Sequence, residues 1–314
     1  MIEVENLRKS FGLNRAVDGV SFKISAGEVV GFLGPNGAGK TTTMRMITTY
    51  LVPDGGRISI AGVDAERDPH GVRQNIGYLP ESAPLYLDMG VLEYLRFVAA
   101  IRKIPRGIRI ERLKKLVKAC GLEGMLDRKV GYLSKGYRQR VGLAQSMIHD
   151  PKILVLDEPT SGLDPNQIIE IRDLIKNIGE KKTVILSTHI LPEVQTTCNR
   201  VLIIDHGKIV GDGDPEKLAA SMQGGKTSFN VAIKGERKKV ESALEAAPFL
   251  TSFSRHDVKN GESLYTLNSS ETEGVGEKIF RLAVDNDFVL TELRREVASL
   301  EKVFASLTLG EGEA

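Results

Sequence analysis

The segment Gly34-Pro35-Asn36-Gly37-Ala38-Gly39-Lys40-Thr41 constrains this chain more than any other. It is a complete GxxxxGK(S/T) loop, preceded by the run Glu28–Leu33 and followed by a helical pattern over Lys40–Leu51. The run reads as a buried strand and the pattern as the helix that leaves the loop. Glycine is needed because the backbone must wrap closely round the β- and γ-phosphates of a nucleotide with its N–H groups turned inward. The dipole of the following helix favours an anion at its N-terminus. Lys40 neutralises phosphate charge, and the Thr41 hydroxyl ligates Mg²⁺.

A second segment completes that site. In Ile153-Leu154-Val155-Leu156-Asp157-Glu158, four apolar residues form a buried strand that delivers two carboxylates to its C-terminal edge. Asp157 is expected to hold Mg²⁺ through water, and Glu158 to polarise the attacking water as general base. Acidic residues that end a strand ordinarily just meet solvent at a loop; the glycine loop upstream makes the catalytic reading the better one. Thr183–Ser187 is a further buried strand, with the amphipathic stretch Asn166–Ile178 between the two. This alternation predicts a largely parallel sheet covered by helices.

Val91–Lys103 and Ile110–Cys120 read as two inserted helices separated by Pro105-Arg106-Gly107. Val201–Ile204 and Lys208–Val210 flank the hairpin turn Asp205-His206-Gly207. The pattern breaks at Ser221-Met222-Gln223-Gly224-Gly225, where a domain boundary is expected. Beyond it, Thr227–Ile233, Ser263–Leu267 and Phe288–Leu293 read as extended, and Lys238–Ala246 and Glu277–Asp285 as helical. These make a small α+β domain of about two strand–helix units over residues 226–308, after an α/β domain over 1–220. The last residues, 309–314, form an acidic tail expected to be disordered.

Composition narrows the function classes. With 43 basic and 41 acidic residues in 314, the net charge of +2 lacks the basic excess of a nucleic-acid binder. Cys120 and Cys198 stand far apart, so no disulfide framework or zinc site is expected and a reducing cytosol fits best. Met1-Ile2-Glu3-Val4-Glu5 has no basic region leading into an apolar core, so no signal peptide is expected. No stretch approaches the ~18 apolar residues of a membrane span, so a membrane part would come from another chain.

The segment Leu133-Ser134-Lys135-Gly136-Tyr137-Arg138-Gln139-Arg140 resembles the signature sequence of ABC ATPases. Leu133, Ser134 and Gly136 match the LSGGQ pattern, whereas Lys135 and Tyr137 depart from it. The resemblance implies a P-loop ABC ATPase core: a mainly parallel sheet, an antiparallel β subdomain and a helical insertion. It implies that Ser134 and Gly136 face ATP held by a second copy, while Ser134 also caps its helix. Ser161-Gly162-Leu163-Asp164 resembles the D-loop, whose aspartate, here Asp164, contacts the opposite subunit near its phosphate loop. His189 matches the switch histidine that senses the γ-phosphate, and Phe11 the aromatic that stacks on adenine. The ATP-binding residues so implied are Phe11, Gly34, Pro35, Asn36, Gly37, Ala38, Gly39, Lys40, Thr41 and Thr42, with Glu158 and His189 joining Lys40 in catalysis.

Ile76-Gly77-Tyr78-Leu79-Pro80-Glu81 ends in glutamate where the family usually has the Q-loop glutamine. A carboxylate still ligates Mg²⁺, so Glu81 joins Thr41 and Asp157 as an expected metal ligand, with altered charge near the γ-phosphate. Glu81 and Lys135 are similar to one exporter branch with separate ATPase and membrane chains, of gliding-motility, drug-efflux and sodium-efflux types. Ala298-Ser299-Leu300-Glu301-Lys302-Val303-Phe304 resembles the close of that branch's C-terminal extension. The resemblance implies a transport ATPase using ATP and Mg²⁺, paired head to tail with itself or a homologous subunit. A permease partner would hold it peripherally on the cytoplasmic face of the membrane. The rival is an ABC clamp acting on ribosomes or DNA, or an accessory ATPase. One ATPase core and no sustained heptads weigh against the clamp.

Overall fold

The computed structural model describes residues 1–222, 227–259, 262–271, 273–296 and 304. It divides into two compact units at Pro215/Glu216.

The first unit runs β1 (Ile2–Phe11), β2 (Asn14–Ile24), β3 (Val29–Leu33), α1 (Lys40–Ile47), β4 (Gly55–Ile60), β5 (Val63–Asp64), α2 (Pro69–Asn75) and β6 (Ile76–Leu79). It continues with α3 (Val91–Ile101), α4 (Arg106–Ala119), α5 (Lys135–Met147), β7 (Ile153–Asp157), α6 (Pro165–Gly179), β8 (Thr183–Thr188), α7 (Leu191–Thr197), β9 (Arg200–Asp205) and β10 (Lys208–Gly213). Its main sheet has the order β10-β9-β3-β8-β7-β6, parallel except for the β9–β10 hairpin. Every residue of β3, β7 and β8 is buried, as expected of parallel strands covered on both faces. A second, antiparallel sheet of order β2-β1-β4-β5 packs its apolar face into the same core, where Phe22 and Phe32 lie 5.8 Å apart.

Strand register places the site. Leu33 pairs with Thr188 and Asp157 with Ser187, so β3, β7 and β8 end at one edge of the sheet. The glycine loop, the two carboxylates and His189 all leave from that edge, where ligands bind in open α/β sheets.

Several boundaries differ from expectation by a few residues, and two of the differences have a local cause. The helix after the glycine loop stops at Ile47 rather than Leu51, because Thr49 adopts a left-handed φ of 57° and the Thr48 hydroxyl turns back to the Met44 carbonyl. Pro105-Arg106-Gly107 does not separate the inserted helices as a loop. Pro105 is the N-cap of α4, whose first turn contains Arg106 and Gly107.

The α5 end is tied to β6 through His149, whose Nε2–H donates to the Ile76 carbonyl at 3.0 Å while Nδ1 is buried without a partner. Burial, reinforced by Arg102, pushes this imidazole down to about 4 from 6.5. The unfolded chain therefore takes up a proton near pH 6.5 that the folded chain refuses until about pH 4. Stability should fall as pH drops through that window. His149→Gln keeps an N–H for Ile76 and should flatten the dependence in thermal melts; parallel losses in both proteins would contradict this assignment.

The second unit opens with α8 (Pro215–Met222) and continues with β11 (Thr227–Lys234), α9 (Arg237–Glu245), β12 (Ser252–Lys259), β13 (Glu262–Ser269), α10 (Val275–Asp285) and β14 (Val289–Glu296). Its antiparallel sheet, ordered β12-β13-β11-β14, carries its own core of Phe229, Val231, Leu244, Tyr265 and Ile279. The unit is α+β, but its described sheet has one strand more than the three extended stretches expected from the sequence. The extra strand, β12, lies at a sheet edge and holds Arg255, His256 and Asp257, so it lacks an apolar signature. The expected break, from residue 223 onward, and the tail over 309–314 lie outside the described residues, as does the exporter-like close except for Phe304.

Candidate active site

The glycine loop is wedged between β2 and the end of β9. A Cβ on Gly34 would run into the Ile204 carbonyl, and one on Gly39, at φ 106°, into the Ala16 carbonyl. Only glycine fits both positions. The Ala38 N–H donates to Pro35 and the Gly207 N–H to the Ala38 carbonyl, which pins the remaining Pro35–Ala38 turn.

Lys40 opens α1 and is buried. Its ammonium donates to the Gly34 carbonyl at 2.8 Å and the Pro35 carbonyl at 3.1 Å, and stands 3.6 Å from Glu158 Oε1. Burial lowers its pKa, and the charges of Glu158, Asp157 and Glu81 oppose that shift. The Thr41 hydroxyl donates to Asp157 Oδ1 at 3.3 Å, and Thr42 follows half-buried on the same turn. Asp157 is 1% exposed, and burial raises its carboxyl above the usual range.

Glu158 takes a left-handed φ of 48°, uncommon for a side chain of this size. Its N–H donates to the Ser187 carbonyl at 2.9 Å, anchoring it to β8. Its carboxylate lies 2.9 Å from His189 Nδ1, so the base, the histidine and the lysine form one cluster. The exposed Glu81 follows β6 across Pro80, and its charge is felt at both Lys40 and Asp157. It also lines a cleft of about 250 Å³ with Lys135 and Arg138.

The other expected site residues lie on outer elements of the same unit. Ser134 is the N-cap of α5 and accepts from the Tyr137 N–H at 3.4 Å; a Cβ on Gly136 would strike the Gln167 side chain of α6. Asp164 is the N-cap of α6 and accepts from the Gln167 N–H at 2.9 Å. The Lys135 side chain packs against Gly162. Phe11 ends β1 with its ring 52% exposed and the Lys9 ammonium 5.9 Å from its centre. Sequence reasoning missed Thr160, Thr188 and Glu193, which form a buried polar cluster behind Glu158 and His189.

A parallel sheet with a glycine loop after a central strand, β3, and paired carboxylates at the end of the next strand but one, β7, defines a P-loop nucleotide hydrolase. The family model described as "ABC transporter" matches residues 17–161. The Bacillus subtilis (strain 168) protein "Uncharacterized ABC transporter ATP-binding protein YxlF" is 32% identical, across 97% of this chain and 98% of its own. "Nod factor export ATP-binding protein I" of Burkholderia lata is 33% identical, across 98% and 96% respectively. Among solved structures, the dimeric post-hydrolysis state of the ATP-binding cassette MJ0796 bound to ADP and Pi superposes with a TM-score of 0.62. It shares 25% identity over 68% of this chain and 98% of that one. The chain belongs to the ABC transporter ATP-binding proteins: it binds and hydrolyses ATP as a transporter subunit. Among the described residues no helix is long and apolar enough to cross a membrane.

Proposed function

We propose that this ATPase drives export through a separate membrane subunit, working as a head-to-tail pair of nucleotide-binding units. The observation that carries the hydrolytic reading is Glu158, held 2.9 Å from His189 Nδ1 and 3.6 Å from the Lys40 ammonium at the end of β7. The glycine loop amides cradle the β- and γ-phosphates, and Lys40 exchanges the Gly34 and Pro35 carbonyls for phosphate oxygens. Glu158 accepts the proton of the attacking water, and His189 orients that carboxylate beside the γ-phosphate. The exposed face of Phe11 stacks on adenine. Thr41, Asp157 and Glu81 offer the hard oxygen donors that suit Mg²⁺, which when bound neutralises phosphate charge. Ser134, Gly136 and Asp164 of one copy complete the site of the other, as their position at the heads of α5 and α6 favours.

Export rather than import is supported by the Nod factor export protein, which aligns along nearly the whole chain, C-terminal unit included. Nucleotide handling belongs to residues 1–220, which contain every site residue named here. A chain ending at Gly225 should fold and bind ATP with unchanged affinity; failure to fold would refute that division.

The partner docks beside Glu81, against Leu85, Tyr86, Leu87 and Met89. The backbone there is held by the Gly131 N–H on the Leu87 carbonyl and the Val130 N–H on the Met89 carbonyl. The side chains of Tyr86 and Leu87 remain 59% and 54% exposed, with Tyr86 edge-on to Phe97 and Tyr94. A rigid loop presenting apolar side chains fits a helix-in-groove contact with a permease, and would hold the ATPase at the cytoplasmic face of the membrane. Tyr86→Gln with Leu87→Gln should keep ATP binding and abolish co-purification with an integral membrane chain. Recovery of ribosomes or DNA-repair factors by the wild-type protein, with no membrane chain, would sink the transporter reading for the clamp.

A further inference from the structure

We propose that Glu193 is a positioning residue for hydrolysis, clamping the loops that carry Glu158 and His189 onto one buried carboxylate. Glu193 sits in the first turn of α7 and is 0% exposed. Its Oε1 accepts from the Thr160 hydroxyl, two residues beyond Glu158. Its Oε2 accepts from the Thr188 hydroxyl at 2.7 Å, one residue before His189. Thr188 Oγ1 in turn accepts from the Ile190 N–H at 3.0 Å, so His189 is braced on both sides. The Arg172 guanidinium on α6 stands 3.7 Å from Oε1 and balances the charge.

The arrangement is costly for a mere filler. Taking a carboxylate out of water is unfavourable unless hydrogen bonds and a counter-charge offset it. Leu191 and Val194 already supply apolar cover on the same helix. What the carboxylate adds is a link between two loops that no strand pairing joins beyond Asp157 and Thr188. The restraint falls where it is needed, because Glu158 holds an unfavourable left-handed φ of 48°. With both threonines tied to one group, the loops shift together and the 2.9 Å contact between Glu158 and His189 is kept.

The inference rests on Glu158 and His189 being the hydrolytic pair, so its test also reads their geometry directly. In the 314-residue chain, Glu193→Gln, Thr160→Val and Thr188→Val should each lower kcat about 10- to 100-fold, the scale of an ångström of misplacement. The KM for ATP should stay within about threefold, and Thr160→Ser and Thr188→Ser should hold near wild-type rates. Adding Thr160→Val to Glu193→Gln should cost little more, because the groups act as one unit. In nucleotide-free protein, the ¹⁵N resonance of His189 Nδ1 should move toward that of a free imidazole in the Gln and Val variants and stay put in the Ser variants. Lowered melting temperatures with kcat and the His189 resonance unchanged would reduce Glu193 to a strut and overturn the proposal. Should Glu193→Gln fail to fold, the paired Val and Ser variants decide alone. Full turnover in Glu158→Gln would instead refute the hydrolytic pair, leaving the resonance to decide whether Glu193 sets their contact.

Discussion

Glu158→Gln is expected to lower steady-state ATP hydrolysis about 10²- to 10⁴-fold, the range that a positioned general base contributes. The substitution keeps the shape of the side chain and the backbone bond from the Glu158 N–H to the Ser187 carbonyl. What it removes is the capacity to take a proton from water. It also removes a negative charge 3.6 Å from the Lys40 ammonium, and Glu158 is the foremost influence supporting that ammonium against burial. ATP phosphates replace this support once bound, so nucleotide affinity should be retained. A pair of subunits closed on unhydrolysed ATP should then accumulate and elute as a dimer on gel filtration. Undiminished turnover would remove Glu158 from the role of base.

Much of this site was legible in the sequence because its chemistry is local. The glycine loop and the Asp157-Glu158 pair each lie within one short segment, after strands whose uninterrupted apolar runs mark them as buried on both faces. The antiparallel strands were harder to read. β1 is half-exposed, and its pairing with β2 shifts register after Val4, Leu7 and Lys9, so its apolar residues fail to alternate cleanly. β12 is an edge strand whose charged residues look like loop. The cluster of Thr160, Thr188 and Glu193 was invisible for another reason. Its members come from three segments whose neighbourhood is made by the β7–β8 pairing, and a glutamate in an amphipathic stretch is ordinarily at the surface.

The second large effect is expected on binding rather than on chemistry. Lys40→Ala removes an ammonium in contact with both the loop carbonyls and Glu158. A hydrogen bond to a charged group contributes about 1.5–3 kcal/mol, so ATP affinity should fall about 10- to 100-fold or more. The loss has a second source. Asp157 and Glu158 would remain as two carboxylates facing an incoming polyphosphate with the nearest counter-charge gone, and Glu81 adds to that repulsion. The fold should survive, because the loop keeps its bonds from Ala38 to Pro35 and from Gly207 to Ala38, and α1 keeps its buried Met44, Met46 and Ile47. A melting temperature close to wild type, together with weakened nucleotide binding by calorimetry in Mg²⁺-free buffer, is the expected pair of results. Omitting the metal isolates the lysine from every Mg²⁺ contact that would otherwise mask its loss. An unchanged dissociation constant would mean that the phosphates do not lie against Lys40, and would overturn the assignment of this loop as the nucleotide cradle.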